Sequence, residues 1–184
     1  MNKNKRWDQE IYLRALHFAA KAHKEQKVPG MELPYVIHSV SVCMEIMAAI
    51  TMEGMANPDL AVQCALLHDT VEDTETDIQD IKILFGPDVA AGVGALTKNH
   101  ELPEEQRMGD SLERIKKMPD EIAAVKLADR ITNLQPPPSH WDRHKISLYR
   151  EEAILIFENL EEASPFLAER LRVKINGYGA GSKL

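Results

Sequence analysis

The chain has 184 residues, 44% of them hydrophobic and 28% charged, with a formal net charge of −7. That length fits one domain, and the composition is that of an ordinary globular protein. The acidic balance excludes wholesale electrostatic binding to nucleic acid or to an anionic membrane, so a phosphate-bearing ligand needs local basic groups or a metal.

Helical periodicity runs through the whole chain and strand-like alternation is nearly absent. Ile11, Ala15, Phe18, Ala19 and Ala22 share one face of a first helix expected from Trp7 to Gln26. The connection Val28-Pro29-Gly30-Met31-Glu32-Leu33-Pro34 breaks it. A second helix is predicted from Val36 to Ile50, with Gly54 at its exit, and a third opens at Asn57-Pro58-Asp59 and ends in His68-Asp69. Thr76 or Asp77 caps the next helix, which Phe85-Gly86-Pro87 stops. Asp88 to Lys98, Pro103 to Met118 and Pro119-Asp120 to Leu134 follow. Pro136-Pro137-Pro138 then imposes an extended turn, with Trp141 expected to pack inward. Asp142 to Leu160 and Ser164 to Ile175 complete the set, and residues 177–184 are expected to be a frayed tail. The expected architecture is one all-α helical bundle over residues 1–184.

Cys43 and Cys64 lie inside apolar helical patterns and read as buried thiols of a reducing, cytoplasmic compartment. The basic N-terminus has no apolar region after it, so no signal peptide is expected. No apolar stretch is expected to cross a membrane. No feature specifies an oligomeric state.

The chemistry concentrates in Ala65-Leu66-Leu67-His68-Asp69-Thr70-Val71-Glu72-Asp73-Thr74. The apolar run before His68 places the His-Asp pair in the core and not on a wet acidic helix end. Glu72 and Asp73 follow it by four residues, one helical turn above each candidate ligand if the turn stays helical. Asp129, after another apolar stretch, is either a further ligand or the partner of Arg130 or Lys126. His38, on an apolar helix after Pro34-Tyr35-Val36-Ile37, is either a ligand or a satisfied core histidine.

In order, His38, His68-Asp69 and Asp129 match the H…HD…D pattern of HD-domain metal-dependent phosphohydrolases. The segment around His68 resembles the HDxxED motif of the RelA/SpoT hydrolase domain, Pro34 to His38 its PYxxH, and Lys126 to Asn133 its KLADxxxN. The resemblance spans nearly the whole chain and is to the small, stand-alone alarmone hydrolases. It implies an HD-domain bundle, Mn²⁺ held by His38, His68, Asp69 and Asp129, and a catalytic acidic pair at Glu72 and Asp73. The implied reaction removes the 3′ pyrophosphate of ppGpp. The implied substrate contacts are Asn133 and Tyr149, although a tyrosine on a helix face is also ordinary core packing.

One departure concerns the base. Where the family has an arginine that packs on guanine, this chain has Val28 or Pro29, and Lys27 is the nearest cation. Lysine stacks less well than a planar guanidinium. Lys98, Arg107, Arg114 and Lys145 are further basic groups for a phosphate tail, against the plainer reading as solvated surface. Two alternatives therefore stand beside the alarmone reading: an HD phosphohydrolase for another nucleotide or phosphoester, and a non-catalytic nucleotide-binding HD module.

Overall fold

Ten α-helices, joined by short connections, account for most of the molecule in a computed structural model that describes residues 6–179. Among the described residues no strand forms; one isolated antiparallel bridge joins Lys27 to Pro34. The helix α1 spans Gln9–Ala22, and Asp8 caps it by accepting the Glu10 N–H at 2.7 Å. It is shorter at both ends than the periodicity predicts, because Asp8 fixes the start and His23 closes the end. Helices α2 (Val36–Glu53) and α3 (Pro58–Leu67) pack against each other, and both pack on α8 (Asp120–Asn133).

These three helices form the inside of the bundle. Every residue of α3 except Asp59 is buried, and Glu121 to Ile131 of α8 are buried without a gap. A helix apolar all round belongs in a core. Helix α2 corrects the expectation that no stretch has membrane-spanning length: its 18 residues are long and apolar enough to cross one. Its buried His38, Ser39 and Glu45 explain the apolar length differently. Glu45 accepts from Arg170 Nε at 2.5 Å, and the helix packs on α1, α3, α8 and α10, as an inner helix of a bundle does.

The outer elements are α4 (Thr70–Asp73), α5 (Ile78–Phe85), α6 (Pro87–Leu96), α7 (Glu104–Ile115), α9 (Arg143–Leu160), a 3₁₀ turn at Glu161–Ala163, and α10 (Pro165–Gly177). Of the two candidate caps before α5, Asp77 is the one used, in a reciprocal capping box with Asp80. Gly92 lets α6 approach closely: a Cβ there would meet Ile122 Cδ1 at 2.6 Å and Cys64 Sγ at 2.8 Å. Met108, Ser111, Leu112 and Ile115 make the buried stripe of the otherwise polar α7. A contiguous core draws on every helix except α4, whose Val71 packs against it.

The expected frayed tail is corrected in part. Gly177 still belongs to α10, and Tyr178 is buried with its ring 5.8 Å from that of Tyr149. An aromatic partner on α9 holds this end in place; residues 180–184 lie outside the described residues.

Candidate metal centre and active site

In a regular helix consecutive side chains diverge by about 100°, so His68 and Asp69 cannot both reach one point unless the helix breaks. It does. Helix α3 ends at Leu67, His68 keeps helical angles, and Asp69 flattens to φ −96°, ψ −5°. His68 Nε2 and Asp69 Oδ2 then stand 2.8 Å apart. The Asp73 N–H returns to the Asp69 carbonyl at 2.9 Å, so Asp73 does lie one turn above Asp69. Glu72 is held elsewhere: it accepts from the Lys98 backbone N–H at 2.9 Å and pairs with Lys98 Nζ at 3.3 Å.

His38 from α2 and Asp129 from α8 meet this pair. His38 Nε2 is 3.3 Å from His68 Nε2, 3.5 Å from Asp69 Oδ2 and 3.4 Å from Asp129 Oδ1. His68 Nε2 is 3.7 Å from the same Asp129 oxygen. A cation with ligands at about 2.1 Å has neighbouring ligand atoms about 3.0–3.4 Å apart. The donor atoms of His38, His68 and Asp69 all lie within 4.8 Å of one another. Two imidazole nitrogens and two carboxylate oxygens fit a hard or borderline divalent cation.

His68, Asp69 and Asp129 are each aimed by a second contact. His68 Nδ1 lies 2.9 Å from the Ala65 carbonyl, which makes it the donor and leaves the Nε2 lone pair facing the centre. Asp129 Oδ2 accepts from Lys126 Nζ at 3.1 Å, and its Oδ1 accepts from Asn133 Nδ2 at 2.5 Å. One oxygen of Asp129 is thus ion-paired with Lys126, and the other faces the imidazoles. The Tyr35 hydroxyl donates to Asp69 Oδ2 at 2.5 Å and reaches Asp73 Oδ2 at 3.4 Å.

The electrostatics follow from this crowding. Burial opposes charge on both imidazoles, but hydrogen bonds and charge from Asp129 and Asp69 prevail, and the pKa of His38 is raised and that of His68 raised well above its ordinary value. Asp69 and Asp129 are held below the carboxylate range despite burial, Asp69 mainly by His68 and Asp129 mainly by Lys126. Asp73 moves the other way: burial first, then Asp69 and Glu72, push its pKa up.

An HD-domain model matches residues 15–165. The chain belongs to the HD-domain family. A MESH1 protein from Homo sapiens, named guanosine-3′,5′-bis(diphosphate) 3′-pyrophosphohydrolase, is 32% identical over 87% of this chain and 90% of its own. The same-named Drosophila melanogaster protein is also 32% identical, over 87% and 90%. Among solved structures, one described as a metazoan ortholog of SpoT that hydrolyzes ppGpp aligns with TM-score 0.82 and 27% identity. That alignment covers 95% of this chain and 99% of the other. The all-α bundle expected from the sequence is thus the HD fold, and HD domains are metal-dependent hydrolases.

This HD domain places its expected substrate groups unevenly. Asn133 lies at the mouth of the centre, tied to Asp129. Tyr149 stands in a cluster, its ring 5.2 Å from Trp141 and under the Arg130 guanidinium at 4.6 Å. Burial pushes its hydroxyl up to about 12. The backbone N–H of Trp141 returns to the Pro138 carbonyl at 3.0 Å, so the turn forms, but its half-buried ring packs on Tyr149 outside the core and not inward as expected. Lys27 is exposed and paired with Glu32, away from any buried partner. Arg107 and Arg114 are occupied by backbone carbonyls, Arg107 by Leu102 and His100, Arg114 by Gly94, Ala95 and Thr97. Lys145 lies over Trp141 at 4.5 Å.

Several working residues escaped the sequence reading. Tyr35 lay inside a motif, but its hydrogen bonds to Asp69 and Asp73 join residues that only the fold brings together. His23 and Gln26 carried one signal, a polar pair where an apolar helix face ends. Gln26 reaches Asp73, which is 47 residues away.

Proposed function

We propose that this HD domain hydrolyses (p)ppGpp, removing the pyrophosphate from the ribose 3′ position, with Mn²⁺ held by His38, His68, Asp69 and Asp129. The convergence of four donors from α2, α8 and the break after α3, with Asp73 one turn above Asp69, carries the reading, and the relatives' printed activity supplies the substrate. Imidazole with carboxylate donors suits manganese. When bound, a divalent cation there lowers the pKa of water and polarises a phosphoryl oxygen.

The chain's own groups divide the remaining work. Glu72, fixed by Lys98 at two points, orients the attacking water and takes its proton. Water's oxygen bonds to phosphorus, the bond from phosphorus to the 3′ oxygen breaks, and that oxygen needs a proton. Asp73, which keeps its proton to higher pH than an ordinary carboxyl, delivers it. Asn133 and Tyr149 line the nucleotide side, and Lys27 is the cation nearest the base. The two buried, unbridged cysteines support a reducing, cytoplasmic setting, and the described residues act as one catalytic unit.

Purified protein supplied with Mn²⁺ and ppGpp is expected to release pyrophosphate and GDP. Metal-loaded protein that releases neither overturns the reading. A second substrate reading draws on one observation: Val28 and Pro29 offer no planar cation, and Lys27 is paired with Glu32. A nucleotide panel with phosphate detection decides it; faster turnover of a nucleotide with another base assigns that substrate instead.

A further inference from the structure

His23 closes α1 and is only 2% exposed. Its Nδ1 lies 2.5 Å from Gln26 Oε1, and the nitrogen of the same amide donates to the backbone carbonyl of Asp73. A carbonyl can only accept, so the amide nitrogen must face Asp73 and Oε1 must face the imidazole. Oε1 also only accepts, so His23 carries hydrogen on Nδ1. Its Nε2 is buried without a partner.

The main chain of Gln26 and the ring of His23 act on Tyr35. The Gln26 carbonyl accepts the Tyr35 N–H at 2.9 Å, and the imidazole lies 4.6 Å from the Tyr35 ring at 31° between planes. The Tyr35 hydroxyl in turn reaches the Asp69 and Asp73 carboxylates. Asp73 is thus gripped twice from the same pair: its carbonyl through the Gln26 amide, its carboxylate through Tyr35. That grip has a reason. Asp73 ends a four-residue helix, followed by Thr74 in an extended conformation. One turn of helix is not stable alone, and its last carbonyls have no partner within it.

We propose that His23, acting through Gln26, is a positioning residue that holds Asp73 in register for the reaction. The inference rests on the reading of Asp73 as the proton-handling carboxyl, and its test needs a signal that does not depend on substrate. Amide hydrogen exchange across residues 70–76 supplies it. In metal-loaded His23→Ala, exchange in that segment is expected to quicken, with bound metal unchanged. On ppGpp, kcat is expected to fall roughly 10- to 100-fold while KM holds. His23→Asn keeps an N–H near the place of Nδ1 and is expected to restore both. Gln26→Leu is expected to reproduce the loss, and it decides the matter should His23→Ala not fold. Wild-type exchange and wild-type kcat in His23→Ala and Gln26→Leu overturn the inference, as does His23→Asn no better than His23→Ala. If the wild type fails to cleave ppGpp, the functional reading falls while the exchange comparison still judges the His23–Gln26 grip.

Discussion

The two sides of the candidate site are built differently. The metal side takes its donors from the interior helices α2 and α8 and from the break after α3, with His38, His68 and Asp129 each less than a tenth exposed. His68, Asp69 and Asp129 each have a second contact that aims them. The proposed base side is the connection after α1, where the Lys27 side chain is 60% exposed and pairs with Glu32. The metal side is fixed by the core, whereas the segment proposed to meet the base lies on the surface.

The largest effect should follow from emptying the metal side. His68→Ala or Asp69→Ala is expected to lose metal and to lower pyrophosphate release by at least about 10⁴-fold, because water activation goes with the cation. Metal content and turnover measured together check this; a metal-free variant that still turns over breaks the comparison. Glu72→Gln is expected to keep the metal and lose about 10²- to 10⁴-fold in kcat. Lys126→Met, which frees Asp129 Oδ2, is expected to weaken metal binding about 10- to 100-fold in calorimetry.

pH should separate metal-free from metal-bound protein. The raised pKa values of His38 and His68 mean that the metal-free centre holds protons the cation must displace. Affinity should therefore rise with pH, by about tenfold per unit for each proton released, until the imidazoles are neutral. The stability terms have opposite windows. The histidine contribution is full below about pH 6.5 and is lost as pH climbs through the raised values. The contribution of Asp69 and Asp129, whose pKa values are lowered, is present above about pH 4 and is lost as pH falls. Metal-free protein should melt highest between those limits, and metal should stabilise most above them. A metal-free melting curve flat from pH 6 to 9 contradicts this.

The smallest effect belongs to the base side. Val28→Arg is expected to lower KM for ppGpp about two- to fivefold with kcat unchanged, from a cation stacked on the base. A fall in kcat instead would show that the surface segment shares in the chemistry.

What was legible in the sequence follows the same division. His38, His68, Asp69 and Asp129 could be read because each follows an apolar run, where an unpaired polar group is costly and so invites explanation. Helix ends marked by Asp77 or by Pro-Gly pairs were legible for local reasons. The break at Asp69 was not: continuous helical spacing extends across it, and only its function demands it. Tyr35 and Gln26 were hidden because their partners Asp69 and Asp73 lie far along the chain, and His23 because it acts through Gln26. Tyr178 was misread as tail because its aromatic neighbours on α9 are invisible in linear order.

The Glu72 contact with the Lys98 backbone carries a consequence for variation at position 98. A main-chain N–H is blind to which side chain follows it, so most replacements of Lys98 keep one of the two bonds that fix Glu72. Proline alone removes that donor. Substitution tolerance at this position should thus be broad with a single sharp hole, a pattern a deep mutational scan would display without any structure.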